Sequence, residues 1–271
     1  MVMNLMLLMM VKKGAFFEFD DGDESNVVDD GALLQQVENG TAFYGVNGTL
    51  SVCNPRVEKG QLSQAHISVL NGYPNKMNVI VVGWESDNFT RGCTNLQCQG
   101  FVQTDKSIIL GQSFNQTSTI DGLVVELPLA ILQDPKNKNW YIYIGNKEIG
   151  YYPASLFSNM KSANQVMWMG KTITPTHIPC PPMGSGVKPN GVLGHACYFK
   201  NLAFVNDSRK HQTLEKDMGQ IQSSNQECYG ATYYDVDKIG LTIQFGGPGG
   251  DSVINPKISD HYYAQERPYS N

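Results

Sequence analysis

Short apolar stretches, separated by clusters of Gly, Asn, Pro and Ser, recur along the chain from about residue 32 onward. Runs of this length, rich in Val, Ile, Tyr and Phe, mark strands rather than helices. Candidate strands fall at 42–44, 49–52, 65–70, 79–84, 100–102, 123–127, 140–144, 165–168, 196–204 and 240–245. Helical pattern is sparse, with enough at 155–163 for one or two turns. The expectation is one all-β domain over 32–255, a sandwich or a barrel. Residues 1–31 are expected to be irregular, with the acidic run Asp20-Asp21-Gly22-Asp23-Glu24 as a solvated loop. After Pro256, residues 256–271 read as a loose tail.

The opening residues 1–11 are apolar, but the cationic pair Lys12-Lys13 follows that run instead of preceding it. A signal peptide has the reverse order and a small-residue cleavage site. The run is also too short to cross a bilayer. It reads as a truncated start, or else as a buried strand.

At 271 residues, with 41% apolar and 17% charged side chains, the chain is long and apolar enough to bury a core, which excludes wholesale disorder. Its net charge of −5 points to neither nucleic acid nor an anionic membrane as partner. Six cysteines stand at 53, 93, 98, 180, 197 and 228, none at zinc-ribbon or redox spacing, so no metal or cofactor is expected. Cys93 and Cys98 enclose a polar tetrapeptide, which fits a local disulfide or two free thiols. Sequons at Asn39, Asn47, Asn88, Asn115 and Asn206 favour a secreted context.

Nucleophilic sites are hard to find. Ser185, in Met183-Gly184-Ser185-Gly186, lacks the spacing of a nucleophile elbow and reads as a turn. The histidines at 66, 177, 195, 211 and 261 are scattered. Gly246-Gly247-Pro248-Gly249-Gly250 has no Lys-Ser/Thr after it and is a tight turn, not a phosphate loop. Two carboxylates in one cleft could hydrolyse a bond without a metal. Near the candidate strands, only Glu126 and Glu85 present themselves, and both read as solvent-facing.

Several segments taken in order resemble the neprosin family, mostly plant secreted proteins typified by glutamic, post-proline endopeptidases. They are Tyr44-Gly45, Cys53-Asn54-Pro55-Arg56-Val57, Gln61-Leu62-Ser63-Gln64-Ala65, Gly83-Trp84, and the stretch from Gly92-Cys93-Thr94-Asn95 to Cys98-Gln99-Gly100-Phe101-Val102-Gln103. Asn139-Trp140, Gly150-Tyr151-Tyr152-Pro153-Ala154-Ser155-Leu156-Phe157, Met183-Gly184-Ser185-Gly186 and Gly246-Gly247-Pro248-Gly249 complete the series. The resemblance implies an antiparallel two-sheet β-sandwich, a substrate cleft on one concave face, and a disulfide between Cys93 and Cys98.

It also implies two glutamates facing each other in the cleft, one activating water and the other protonating the leaving amine. The first belongs to an Ile-Glu-x-Gly-Trp strand, which here reads Ile80-Val81-Val82-Gly83-Trp84 and places Val81 there. The second closes a Trp-Gly-Gly-Glu segment, which here reads Trp168-Met169-Gly170-Lys171 and places Lys171 there. An acid common before that Trp is Met167. Between Trp84 and Gly92 the family's aromatic hairpin is missing, so an unpaired sheet edge is expected. Cys228 has no later cysteine to pair with.

The resulting expectation is an inactive relative that binds proline-containing peptides or cell-wall glycans in a retained cleft. The alternatives are an active post-proline endopeptidase using Glu126 or Glu85, and a product that does not fold.

Overall fold

The computed structural model describes residues 4–13, 27–36, 41–72, 77–87 and 100–250. Two antiparallel sheets pack face to face, and no α-helix occurs among the described residues. The first sheet holds β1 (Asn4–Lys13), β2 (Val27–Gln36), β4 (Leu62–Asn71), β5 (Asn78–Asp87), β10 (Gln165–Pro175) and β13 (Gln220–Ser223). Their order is β1-β5-β4-β10-β2-β13.

The second sheet is built from β3 (Gly45–Ser51), β6 (Val102–Gln103), β7 (Glu126–Gln133), β8 (Trp140–Ile144), β9 (Lys147–Tyr152), β11 (Cys197–Val205), β12 (His211–Thr213), β14 (Gly230–Val236) and β15 (Gly240–Gly246). Its order is β14-β15-β11-β3-β7-β8-β9-β6, with β12 beside β11. The all-β sandwich is therefore the observed fold.

Side chains alternate across a strand, so each sheet turns one set of residues into the shared core. On β4 and β5 that set includes Ala65, Ile67, Val69, Ile80, Val82 and Trp84, and on β10 Val166 and Trp168. They meet Val46 and Leu50 of β3 and Leu127, Leu129 and Ile131 of β7. Two tryptophans cross the space between the sheets. Trp84 Nε1 donates to the Ser51 carbonyl at 2.9 Å, and Trp168 Nε1 to the Asn47 carbonyl at 3.1 Å. Both acceptors lie on β3, so the indoles fix where β5 and β10 sit against the opposite sheet. Gly48 makes room for this, because a Cβ there would lie 2.7 Å from Trp168 Nε1.

Several expectations need correction. Residues 4–13 and 27–36, placed in an irregular segment by pattern, form two strands of the first sheet. The β5 edge is not left unpaired, because β1 pairs with it from Asn4↔Asp87 to Lys13↔Asn78. The helical signal at 155–163 yields only a single 3-10 turn, Ala154–Leu156. The strand expected at 123–127 starts later, at Glu126, and runs to Gln133. Phe43, from the candidate 42–44, makes an isolated bridge to Ala163 rather than a strand.

A disulfide that sequence reading did not pair joins Cys53 to Cys197, linking the chain just after β3 to the start of β11. These strands are neighbours in the second sheet, which brings together cysteines 144 residues apart. Cys93 and Cys98 lie outside the described residues, as do Asn39 and Asn88. Of the other sequons, Asn115 is exposed in a loop. Asn47 lies within β3, its amide donating to the Asn201 carbonyl at 3.2 Å, and Asn206 closes the turn to Lys210. No helix among the described residues is long and apolar enough to cross a membrane.

Candidate functional site

Val81 stands three residues before Trp84, and Lys171 three residues after Trp168. An odd offset along a strand reverses the face. With both indoles in the core, Val81 and Lys171 therefore share the other face of the first sheet. The register resolves that face into rungs. One rung reads Val81–Ser68–Met167 across β5, β4 and β10, and the next Gly83–His66–Met169. A third reads Glu85–Gln64–Lys171. Val81 and Lys171 thus lie on different rungs. Met167 is the residue level with Val81, and Glu85 the one level with Lys171, each two strand spacings away, or about 10 Å.

The face is buried as well as polar. On β4 and β10, all but the end residues are buried on both faces. Its apolar end is a small cluster of Leu70, Met77, Met167 and Met169, with Val79 against it. At the other end, Gln64, His66, Glu85 and Lys171 are all at least 95% buried. Glu85 was expected to face solvent. It is 3% exposed, and that expectation is corrected.

A buried ammonium needs a counter-charge. Lys171 Nζ meets Asp29 Oδ2 at 2.5 Å, with the Asp29 side chain 35% exposed. Asp29 stands on β2 opposite Ile173, two residues from Lys171 and so on the same face. Burial pushes the Lys171 ammonium below its usual range, opposed by the nearby Asp29 charge. It likewise raises the Asp29 carboxyl, which the lysine pulls back down. His66, in the middle rung, has its pKa lowered to about 3, first by burial and then by the Lys171 charge, and is neutral near pH 7. Its Nδ1 has no hydrogen-bond partner among the described residues.

Glu126 belongs to the other sheet. Its Oε1 accepts from Tyr198 Oη at 2.5 Å and from Lys200 Nζ at 2.6 Å. It is half-buried rather than freely exposed and shares no rung with Glu85. The two fallback carboxylates are not brought together.

A cavity of about 350 Å³ opens beside β3 and β11, lined among others by Thr117, Thr119, Ser185, His195 and Tyr198. Here the structure pairs a histidine that looked isolated in the sequence. His195 Nε2 lies 2.7 Å from Asp121 Oδ1, and its Nδ1 lies 3.0 Å from Asn190 Nδ2. Ser185 does not complete a triad, since its hydroxyl donates to the His195 carbonyl at 2.6 Å and the ring nitrogens are taken by Asp121 and Asn190. The partners are 74 residues apart, and no local spacing could have announced them. No group of three side chains suited to hold a metal occurs among the described residues.

A model of a known protein family, Neprosin, matches residues 63–248, most of the chain. The matched stretch contains β5 and β10, and with them Val81, Glu85 and Lys171.

Proposed function

The chain belongs to the neprosin family, and on that premise we propose that it is a non-catalytic member whose former cleft is filled by a structural ion pair. The observation that carries this reading is Lys171, which stands where the resemblance places a catalytic glutamate and is held against Asp29. General-base catalysis needs a carboxylate free to take a proton from water. A lysine held in an ion pair with Asp29 is not free to accept one, and Val81, on β5 with β4 between it and β10, offers no acid either. The buried rungs also leave little space for an extended substrate.

The test is hydrolysis of proline-containing peptides by the purified chain from pH 3 to pH 8. No turnover is the expected outcome. Turnover that persists in Glu85→Gln and Glu126→Gln yet vanishes in Lys171→Ala would overturn the reading. The Val81→Glu, Lys171→Glu double variant separates a missing dyad from a closed face. Hydrolysis appearing in it would mean the face still admits peptide, and continued silence would leave the packing as the barrier.

A second reading, an active endopeptidase, is favoured by one observation. Glu85 is buried directly across from Gln64, one strand spacing away. A carboxylate and an amide at that separation can hold a water between them. Glu85→Gln decides it, because an active enzyme of this kind would lose its turnover. Binding of proline-containing peptides or cell-wall glycans, in a secreted setting, remains the ligand expectation for the non-catalytic reading. The Cys53–Cys197 disulfide is consistent with that oxidising compartment.

A further inference from the structure

Cys180 and Cys228 are both buried and both reduced in the structure. They come from distant parts of the chain, one in the loop after β10 and the other in the turn before β14. Three contacts converge on them. Cys180 pairs with Gly250 through two backbone hydrogen bonds, of 2.9 and 3.0 Å. The Cys228 thiol points at the carbonyl of that same Gly250, 3.9 Å away. The Asn225 side chain spans both, its Oδ1 accepting from the Cys228 amide at 3.3 Å and its Nδ2 lying 3.8 Å from the Cys180 sulfur.

Gly250 and Asn225 thus draw the two cysteines to one spot. Burial pushes the Cys228 thiol up to about 12, and the nearby Cys180 side chain adds to the shift. Neighbouring buried thiols in a protein with another disulfide are placed to oxidise. From this geometry we infer that Cys180 and Cys228 form a second disulfide, which joins the loop after β10 to the turn before β14 and brackets the glycine-rich turn between them.

The chemistry is thiol–disulfide exchange with a small-molecule disulfide such as oxidised glutathione. One thiolate attacks the donor and releases one glutathione thiol. The second cysteine then attacks the mixed disulfide and releases the other. One sulfur–sulfur bond forms in the protein, one breaks in the donor, and the two cysteine protons end on the two glutathione thiols. With the Cys228 thiol buried and its pKa raised, the exchange is expected during folding and to be slow in the folded chain.

The test uses the full chain refolded with oxidised and reduced glutathione, unfolded, and blocked with iodoacetamide without reduction. Cyanogen bromide at Met183 and Met218 followed by trypsin separates Cys180 from Cys197 and isolates Cys228. The expected product is a Cys180 peptide joined to the Cys228 peptide, two hydrogen masses below their sum. In Cys180→Ser the Cys228 peptide should instead carry the alkyl group, with a melting temperature lower by several degrees. Recovery of both cysteines as alkylated thiols in the unmutated chain would overturn the inference, as would a link from either one to Cys93 or Cys98.

Discussion

As a single residue, His66 carries a clear pH signature. Burial, aided by the charge of Lys171, holds its pKa at about 3, against about 6.5 for an unfolded histidine. Between those values the unfolded chain binds a proton that the folded chain refuses. Stability is therefore full above about pH 6.5 and falls as the pH drops toward 3. The loss approaches about 1.4 kcal/mol per pH unit, or about 2 kcal/mol between pH 8 and pH 5. Urea unfolding across that range should show the slope, and His66→Leu should flatten it. An unchanged slope in the variant would mean other groups set the acid lability. The sequence named His66 only as one of several scattered histidines. Its burial follows from β4 having neighbours on both sides and a second covered face, a fact of tertiary structure that β4's alternation of polar and apolar residues conceals.

Among the elements, β3 is where the sandwich is tied together, because the indoles of Trp84 and Trp168 both end on its carbonyls. Gly48 is the residue that lets Trp168 approach. Gly48→Ala should force the ring aside and weaken its hydrogen bond, costing about 1–3 kcal/mol, typical of overpacking. Trp168→Phe removes the Nε1 that a new methyl would meet, so the double variant should lose less than the two single losses added together. Thermal unfolding of the three variants measures this, and strict additivity would deny the contact its role. Strands of this kind were readable. The apolar runs at 65–70, 79–84, 140–144 and 240–245 fall inside β4, β5, β8 and β15, where alternation or continuous burial leaves a plain trace. The rungs were not readable, because which residue of β5 lies level with Lys171 depends on β4 standing between them. The resemblance named Val81 and Lys171 as partners, and only the register separates them and sets Glu85 beside Gln64 in their stead.

For the molecule as a whole, the least readable feature was how the first sheet ends. Lys12-Lys13 after an apolar run looked like a spoiled signal, and the missing hairpin after Trp84 looked like an open edge. The two puzzles answer one another, since β1 pairs along the whole length of β5 and occupies that edge. Strand pairing between residues as far apart as Asn4 and Asp87 leaves no local mark, so neither half could reveal the other. An edge strand offers a row of unpaired amides and carbonyls that invites another chain, and β5 is rich in Val and Ile, the residues most prone to such pairing. Removing residues 1–13 should therefore leave the second sheet intact while exposing β5. Size-exclusion chromatography with light scattering is expected to show dimers or larger species that grow with concentration, where the intact chain shows fewer. Val81→Lys in the shortened chain should suppress them, because a charge on an exposed edge opposes edge-to-edge pairing. A shortened chain that stays monomeric at every concentration would mean that β1 is dispensable to the edge, and that another part of the molecule shields β5.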